Sequence, residues 1–354
     1  MSTKVFVGLS GGVDSSVAAA TLVEQGYDVT GVYMKNWAQD LPGFECPWKT
    51  DYQDAKRIAV QLGIDFQVYD FQKQYRKQVV DYMIKEFRAG RTPNPDIMCN
   101  QEIKFKLFLD TAFADGADMI ATGHYARTKG GQLYMAADTN KDQTYFLYRV
   151  SNEALRKTLF PIGEFKNKAS VRAKAKRLGL VTANKKDSQG ICFVGKVGIR
   201  QFLEHELGAQ PTGNIIDQKG EKVGRHSGAI YYTIGQRHGL SVGGGLPYYV
   251  IGKDMAKNEV YVSTDLDNGN LWRGSFDITD IRWIGEFPPL AKTYLIRTRH
   301  RTPLVEAVIT RPKNATHSVS TLHIVLKDKI RAITPGQSAV IYDGSKVLGG
   351  GVVI

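Results

Sequence analysis

The run Val5-Phe6-Val7-Gly8-Leu9-Ser10-Gly11-Gly12-Val13-Asp14-Ser15-Ser16 decides the fold. Its first half is apolar without alternation, the pattern of a strand covered on both faces in a parallel sheet. In its second half Gly11 and Gly12 permit a tight turn and a close backbone approach, and Ser10, Ser15 and Ser16 place hydroxyls where a helix begins. Free N–H groups and the helix dipole at such a start favour a bound anion, so the turn reads as a phosphate cradle. A plain strand-to-helix turn would need only a cap, which Asp14 or one serine supplies. The string lacks G-x-x-x-x-G-K-[ST], and with it the lysine beside the β- and γ-phosphates, which disfavours a kinase or GTPase.

Working outward, strand-like runs at residues 5–9, 29–34, 64–71 and 119–122 alternate with helical patterns at 15–25, 52–62, 74–87 and 102–114. That alternation predicts an α/β domain with a parallel sheet wrapped by helices. A hairpin around Gly130-Gly131, spanning 127–136, and helical stretches at 143–150 and 168–178 carry this domain through residues 1–205. From Gln210 helical patterns stop and glycine becomes frequent, with short strands at 230–233, 248–251 and 259–262, so 206–275 reads as a small β-rich central domain. Candidate strands at 294–299, 304–309, 321–326, 338–342 and 347–354 make 276–354 a C-terminal β-barrel.

Composition narrows the class. The 354 residues carry a net charge of +12, which suits a polyanionic partner such as nucleic acid. No apolar run reaches the roughly 18 to 20 residues of a membrane helix, so no membrane partner and a cytoplasmic location are expected. Cys46, Cys99 and Cys192 lie far apart without a C-x-x-C pair, and the seven histidines show no paired spacing, so neither a disulfide framework nor a structural zinc is expected.

Two of the cysteines sit in distinctive surroundings. In Arg91-Thr92-Pro93-Asn94-Pro95-Asp96-Ile97-Met98-Cys99-Asn100, two prolines in three residues are expected to stiffen a loop and keep it out of helix, and it presents a carboxylate and a thiol three residues apart. Cys192 lies in Asp187-Ser188-Gln189-Gly190-Ile191-Cys192-Phe193, which follows Lys185 and Lys186, and nearby cations favour its thiolate. A bland reading remains for each: a buried cysteine, and an Asx-turn at Asp96. Cys46 has no assignable role. An iron–sulfur site is disfavoured because Glu102, not cysteine, follows three after Cys99. Further on, Arg297, Arg299 and Arg301 alternate, so one strand face is expected to present three guanidiniums to phosphates.

The phosphate-loop string resembles the signature of the PP-loop ATP pyrophosphatase superfamily, whose members adenylate a substrate and release pyrophosphate. Segments 8–16, 90–105, 122–125, 141–147, 187–195 and 232–240 together resemble the tRNA-specific 2-thiouridylase family over most of the chain. The resemblance implies ATP-dependent 2-thiolation of the wobble uridine of tRNA by a sulfurtransferase, with ATP and Mg²⁺ as cofactors. It implies that Gly8, Leu9, Ser10, Gly11, Gly12, Val13, Asp14, Ser15, Ser16, Met34 and Gly123 contact ATP. Cys192 then carries a persulfide, Cys99 is the nucleophile and Asp96 the acid/base; a Cys99–Cys192 disulfide or released sulfide follows. Asn94, Pro95 and Asp96 would face the target base, and His124, Lys141, Asp142, Gln143, Arg299, His300 and Gln337 the tRNA. A cysteine desulfurase or persulfide relay protein is implied as sulfur donor. Two other readings stay open: a PP-loop enzyme forming amides on a small metabolite, and a non-catalytic RNA-binding protein regulated by ATP.

Overall fold

The computed structural model describes residues 2–41, 45–187, 198–240, 242–243, 247–312 and 321–354. Strand β1 (Lys4–Gly8) leads through the glycine–serine turn into helix α1 (Val13–Glu24), and β2 (Asp28–Lys35), α2 (Trp48–Leu62) and β3 (Asp65–Asp70) follow. Val5 and Val7 are fully buried and Phe6 nearly so, as the unbroken apolar run requires of a central strand. A helical run, α3, comprises Gln72–Tyr75, a π-helical Arg76–Val80 and Asp81–Arg88. The next, α4, runs through Pro95–Met98, the π-helical Cys99–Leu107 and Phe108–Ala114. Strands β4 (Met119–Ala121), β5 (Ala126–Lys129) and β6 (Gln132–Met135), helix α5 (Asn152–Arg156), β7 (Thr158–Leu159) and helix α6 (Lys168–Arg177) complete the region.

The first sheet has order β3-β2-β1-β4-β7 with every pairing parallel. Chain order reverses between β1 and β4, and the crevice beyond the carboxyl ends of those two strands is where such sheets bind ligands. The turn after β1 and residues Thr122 to His124 after β4 both open there.

Helix α7 (Ile199–Leu207) precedes a four-stranded sheet of β8 (Gly213–Ile216), β9 (Lys222–His226), β10 (Tyr249–Asp254) and β11 (Glu259–Ser263), in order β10-β11-β8-β9. The last region is β12 (Trp272–Trp283), β13 (Thr293–Arg297), β14 (Val305–Thr310), β15 (Thr321–Arg331), β16 (Ser338–Asp343) and β17 (Lys346–Val353). These six close into an antiparallel barrel, because β12 pairs with β15 on one side and β17 on the other. Hairpin β5–β6 joins the same sheet through β6, with Lys346 opposite Tyr134 and Val347 opposite Leu133.

Several local expectations fail. Residues 143–150 form one 3₁₀ turn, Thr144–Phe146, rather than a helix. Residues 230–233 are not a strand, since Ala229–Tyr231 is a 3₁₀ turn. In both places buried aromatics (Tyr145, Tyr148, Tyr231, Tyr232) anchor irregular chain, so apolar content overrode the local period. The strand expected at 294–299 stops at Arg297, so Arg297, Arg299 and Arg301 do not share a strand face. Arg297 points inward, 8% exposed, while Arg301 adopts a φ of 65° in the turn beyond.

Candidate active site at the switch point

Gly12 is the N-cap of α1, and no side chain caps the helix start. Neither Asp14 nor a serine fills the capping role that a plain turn would give it. Ser15 and Ser16 instead turn back to the carbonyl of Gly12 at 3.1 and 2.8 Å, and Thr182 donates to the Ser16 hydroxyl at 2.9 Å. The first-turn N–H groups are thereby left without side-chain acceptors, which is what an anion site at a helix start needs.

Two glycines fix the shape of this cradle. Gly11 has φ +72°, and a Cβ there would lie 2.3 Å from the Asp51 carbonyl oxygen of α2. A Cβ on Gly123 would lie 2.6 Å from the Ser15 nitrogen. The end of β4 therefore rests directly on the first turn of α1. Met34, at the end of β2, reaches over Gly8. The residues expected around a nucleotide, Gly8 to Ser16 with Met34 and Gly123, are brought together.

A chain of charges surrounds Asp14. Its carboxylate accepts from Lys168 Nζ at 2.7 and 2.8 Å and from the Tyr125 hydroxyl at 2.8 Å. Lys168 also pairs with Asp187 at 2.9 Å, as do Lys141 at 2.9 Å and Arg172 at 2.7 Å. Burial would raise the Asp187 carboxyl, but Lys168 and Lys141 hold it down at about 2. Burial, and then Asp14, push the Tyr125 phenol far above its ordinary range. Neither Lys168 nor Tyr125 was singled out in the sequence; Lys168 follows the helix cap Asn167, a signal of a helix start only.

The second half of the site is the start of α4: the segment expected to stay out of helix is helical from Pro95, because proline is well suited to a first helical position. Asn94 accepts from the Asp96 N–H at 3.2 Å and so caps the helix, with Pro95 at its first position. Asp96 and Cys99, three residues apart, fall on one helical face. Cys99 is buried, at 4% exposure. Burial raises the Asp96 carboxyl above its ordinary range, with Lys104 opposing. His124, which follows the Gly123 that touches the cradle, accepts or donates at Nδ1 to the Thr122 hydroxyl at 2.8 Å and lies against Phe105 at 5.6 Å between ring centres. Burial, then Lys104, hold its imidazole well below the ordinary histidine range, so it is neutral. Lys104 bears on both Asp96 and His124, and Phe105 of the same helix packs on the His124 ring, so α4 runs past the end of β4. The sequence reading passed over Lys104.

The barrel holds this loop from below. Thr92 N–H donates to the Pro335 carbonyl at 2.9 Å, and Gln337 Nε2 donates to the Thr92 carbonyl at 2.8 Å. Asn100 donates to the Phe146 carbonyl at 3.0 Å, and the Phe146 ring meets His300 at 4.5 Å. His300 and Gln337 thus lie beside the loop. Arg299 is exposed, and its guanidinium donates to the Thr334 hydroxyl at 3.4 Å. Three further residues expected to face tRNA also make bonds within the chain. Asp142, 1% exposed, accepts from the Ala136 N–H, the Thr144 hydroxyl and Arg297, so it anchors the chain to the barrel. Gln143 is tied to the Tyr125 main chain in both directions at 2.9 Å. Lys141, part-exposed, is engaged by Asp187.

Cys192 and its expected persulfide lie outside the described residues. Cys46 is buried, its thiol raised first by burial, and its sulfur faces the Trp37 carbonyl at 3.8 Å, the surroundings of an inert core cysteine.

A parallel sheet with a glycine–serine cradle at its switch point, and no lysine in the loop, defines a nucleotide-binding domain of the PP-loop class. Residues 3–196 match the family model described as tRNA methyl transferase HUP domain, 200–264 that of a tRNA methyl transferase PRC-barrel domain, and 273–353 that of an aminomethyltransferase beta-barrel domain. The tRNA-specific 2-thiouridylase MnmA 2 of Geobacillus kaustophilus is 47% identical over 359 residues, covering 99% of this chain and 94% of that protein. The tRNA-specific 2-thiouridylase MnmA of Bacillus subtilis is 47% identical over 363 residues, covering 99% and 95%. The chain belongs to the tRNA-specific 2-thiouridylase family.

Proposed function

We propose that this chain is a tRNA-uridine 2-sulfurtransferase that replaces O2 of the wobble uridine with sulfur at the cost of ATP. The observation that favours the reading is the junction at Gly123 and His124: Gly123 rests on the first turn of α1, and Phe105 of the helix that carries Asp96 and Cys99 packs on the His124 ring.

The chemistry requires both halves. O2 of uracil is a poor leaving group, so it attacks the α-phosphorus of ATP and pyrophosphate departs. The open N-terminus of α1 is suited to the pyrophosphate end of the nucleotide. Mg²⁺ usually binds through one or two carboxylates plus substrate phosphates, and Asp14 is the carboxylate the cradle offers. The terminal sulfur of a Cys192 persulfide then attacks C2 and AMP leaves with the original oxygen. Cys99 attacks the inner sulfur, which breaks the S–S bond, leaves sulfur on C2 and forms a Cys99–Cys192 disulfide for a thiol reductant to reopen. The Asp96 carboxylate, made a stronger base by burial, takes the proton of the Cys99 thiol. The alternative in which Cys99 helps release sulfide uses the same residues.

The polyanion expected from the +12 charge is tRNA, presented as its anticodon stem-loop. Asn94, Pro95 and Asp96 are proposed to face the splayed uridine, with His124, the Lys141–Asp142–Gln143 segment, Arg299, His300 and Gln337 on the tRNA side. A cysteine desulfurase or persulfide relay protein is proposed as the sulfur source, and the cytoplasm as the location. Among the described residues no helix is long and apolar enough to cross a membrane.

The test is reconstitution with ATP, Mg²⁺, unmodified tRNA and a sulfide source, scoring 2-thiouridine by mass spectrometry. Wobble 2-thiouridine with AMP release dependent on tRNA is the expected result. AMP release on an amine-bearing metabolite, without tRNA binding at low salt, would select amide formation instead.

A further inference from the structure

The phosphate loop has no lysine of its own, and the lysine that reaches it comes from another helix. Asn167 caps α6 by accepting from the Ser170 N–H at 2.8 Å, which fixes Lys168 at the first helical position. From there the Lys168 side chain, 14% exposed, reaches the first turn of α1. Its ammonium grips two carboxylates at once, Asp14 at 2.7 and 2.8 Å and Asp187 at 2.9 Å.

An ammonium held between two carboxylates stands where a divalent cation could stand. The pairing is also unbalanced. Lys141 and Arg172 bind Asp187 as well, so in the cluster joined by these ion pairs three cations face two carboxylates. The surplus positive charge lies beside a helix start whose N–H groups already favour an anion. Lys185 is matched by contrast, with Asp51 and Asp54 to itself at 2.8 and 2.7 Å. Were Lys168 to leave, Asp187 would keep Lys141 and Arg172, and Asp14 would keep the Tyr125 hydroxyl.

Resting on the adenylation reading above, we propose that Lys168 is a movable counter-ion: in the empty site it blocks the metal position at Asp14, and in the loaded site it sits on the pyrophosphate end of ATP. It thereby supplies the cation that the loop lacks. The transfer has a physical cause. A triphosphate presents several negative charges where Asp14 presents one, and its oxygens accept equally strong charged hydrogen bonds. Once drawn to phosphate, Lys168 uncovers Asp14, so the carboxylate becomes open to Mg²⁺ only when nucleotide is present. No proton changes hands. Lys168 donates hydrogen bonds to the departing pyrophosphate and returns to Asp14 when it has gone.

The experiment measures two bindings to the full chain without tRNA: ATP with Mg²⁺ by calorimetry, and Mn²⁺ without nucleotide by the loss of its free electron-paramagnetic-resonance signal. Lys168→Gln should weaken ATP by ~12- to 150-fold, the range for a lost charged hydrogen bond, and should take up Mn²⁺ at concentrations that leave the unaltered chain empty. Lys168→Arg should still exclude Mn²⁺. Lys174→Gln, which removes a cation of the same helix from its pair with Glu24, should change neither binding. A loss of ATP affinity alone is what any damage to the site gives; the gain of metal is not. The inference is overturned if Lys168→Gln binds ATP as tightly as the unaltered chain, or takes up no more Mn²⁺ than it does. Mn²⁺ uptake by the unaltered chain without nucleotide, lost in Asp14→Asn, would overturn it even if the glutamine variant fails to fold. Failure of the unaltered chain to bind ATP at all would overturn the adenylation reading itself and this inference with it.

Discussion

Asp96 is the side chain whose protonation the site controls most directly. Burial raises its carboxyl, so the ionised form that would serve as base is lost at a higher pH than for an ordinary aspartate, ~3.9. Single-turnover thiolation should therefore fall as pH drops through that raised value, and Asp96→Asn should abolish this acid limb and slow turnover by ~10²- to 10⁴-fold while tRNA affinity is kept. An unchanged rate in Asp96→Asn would remove it from the chemistry. His300 behaves in the opposite sense. Burial, then Arg301 and Arg297, lower its imidazole to about 4. The unfolded chain therefore takes up the proton first, and the stability that neutral His300 contributes is lost as pH falls from ~6.5 towards 4. His300→Phe, which keeps a ring against Phe146, should flatten melting temperature against pH in that window.

At the scale of elements, the meeting of β4 with α1 sets the nucleotide site. Gly123→Ala would push a methyl into the Ser15 backbone, 2.6 Å from its nitrogen, where nothing flexible can yield. We expect a loss of about 1–3 kcal/mol in stability and a weakened ATP affinity by calorimetry. Ala at Gly269, whose Cβ would meet nothing within 4 Å, should leave ATP affinity unchanged and serves as the control. Elements of this kind were legible from the sequence where period and turn chemistry agreed: β1 through α1, the alternation up to β4, and five barrel strands. What escaped was set by distant partners. Strands β8, β9 and β12 carry no clean alternation and are held by their neighbours' hydrogen bonds. The 143–150 stretch is irregular because Tyr145 and Tyr148 bond to Ser338 of the barrel rather than stacking along a helix face. Lys168 and Lys104 escaped for the same reason, since a lysine's meaning depends on carboxylates and rings far off in sequence.

Across the whole molecule, the net charge of +12 and the exposed Arg299 and Arg301 predict binding governed by phosphate contacts. A plot of log affinity against log salt should lose about 0.7 to 0.9 of its slope for each arginine that contacts a phosphate when it is replaced by alanine. A slope unaltered in the double variant would place the tRNA elsewhere. Arg297→Ala should act differently. Its guanidinium pairs with the buried Asp142 at 3.4 Å, so the variant should lower the melting temperature and leave the salt slope alone.

The β5–β6 hairpin has a consequence for how this chain could be divided. It is encoded between the catalytic helix start and α5, yet its strand β6 hydrogen-bonds to β17, far later in the chain. A ribosome that has finished the nucleotide-binding half has therefore made two strands whose sheet does not yet exist. Until the barrel strands arrive, β6 presents an open edge to any neighbouring nascent chain. A fragment ending near residue 205 should precipitate or need a chaperone, and restoring the barrel in trans should rescue it only if the hairpin is left intact.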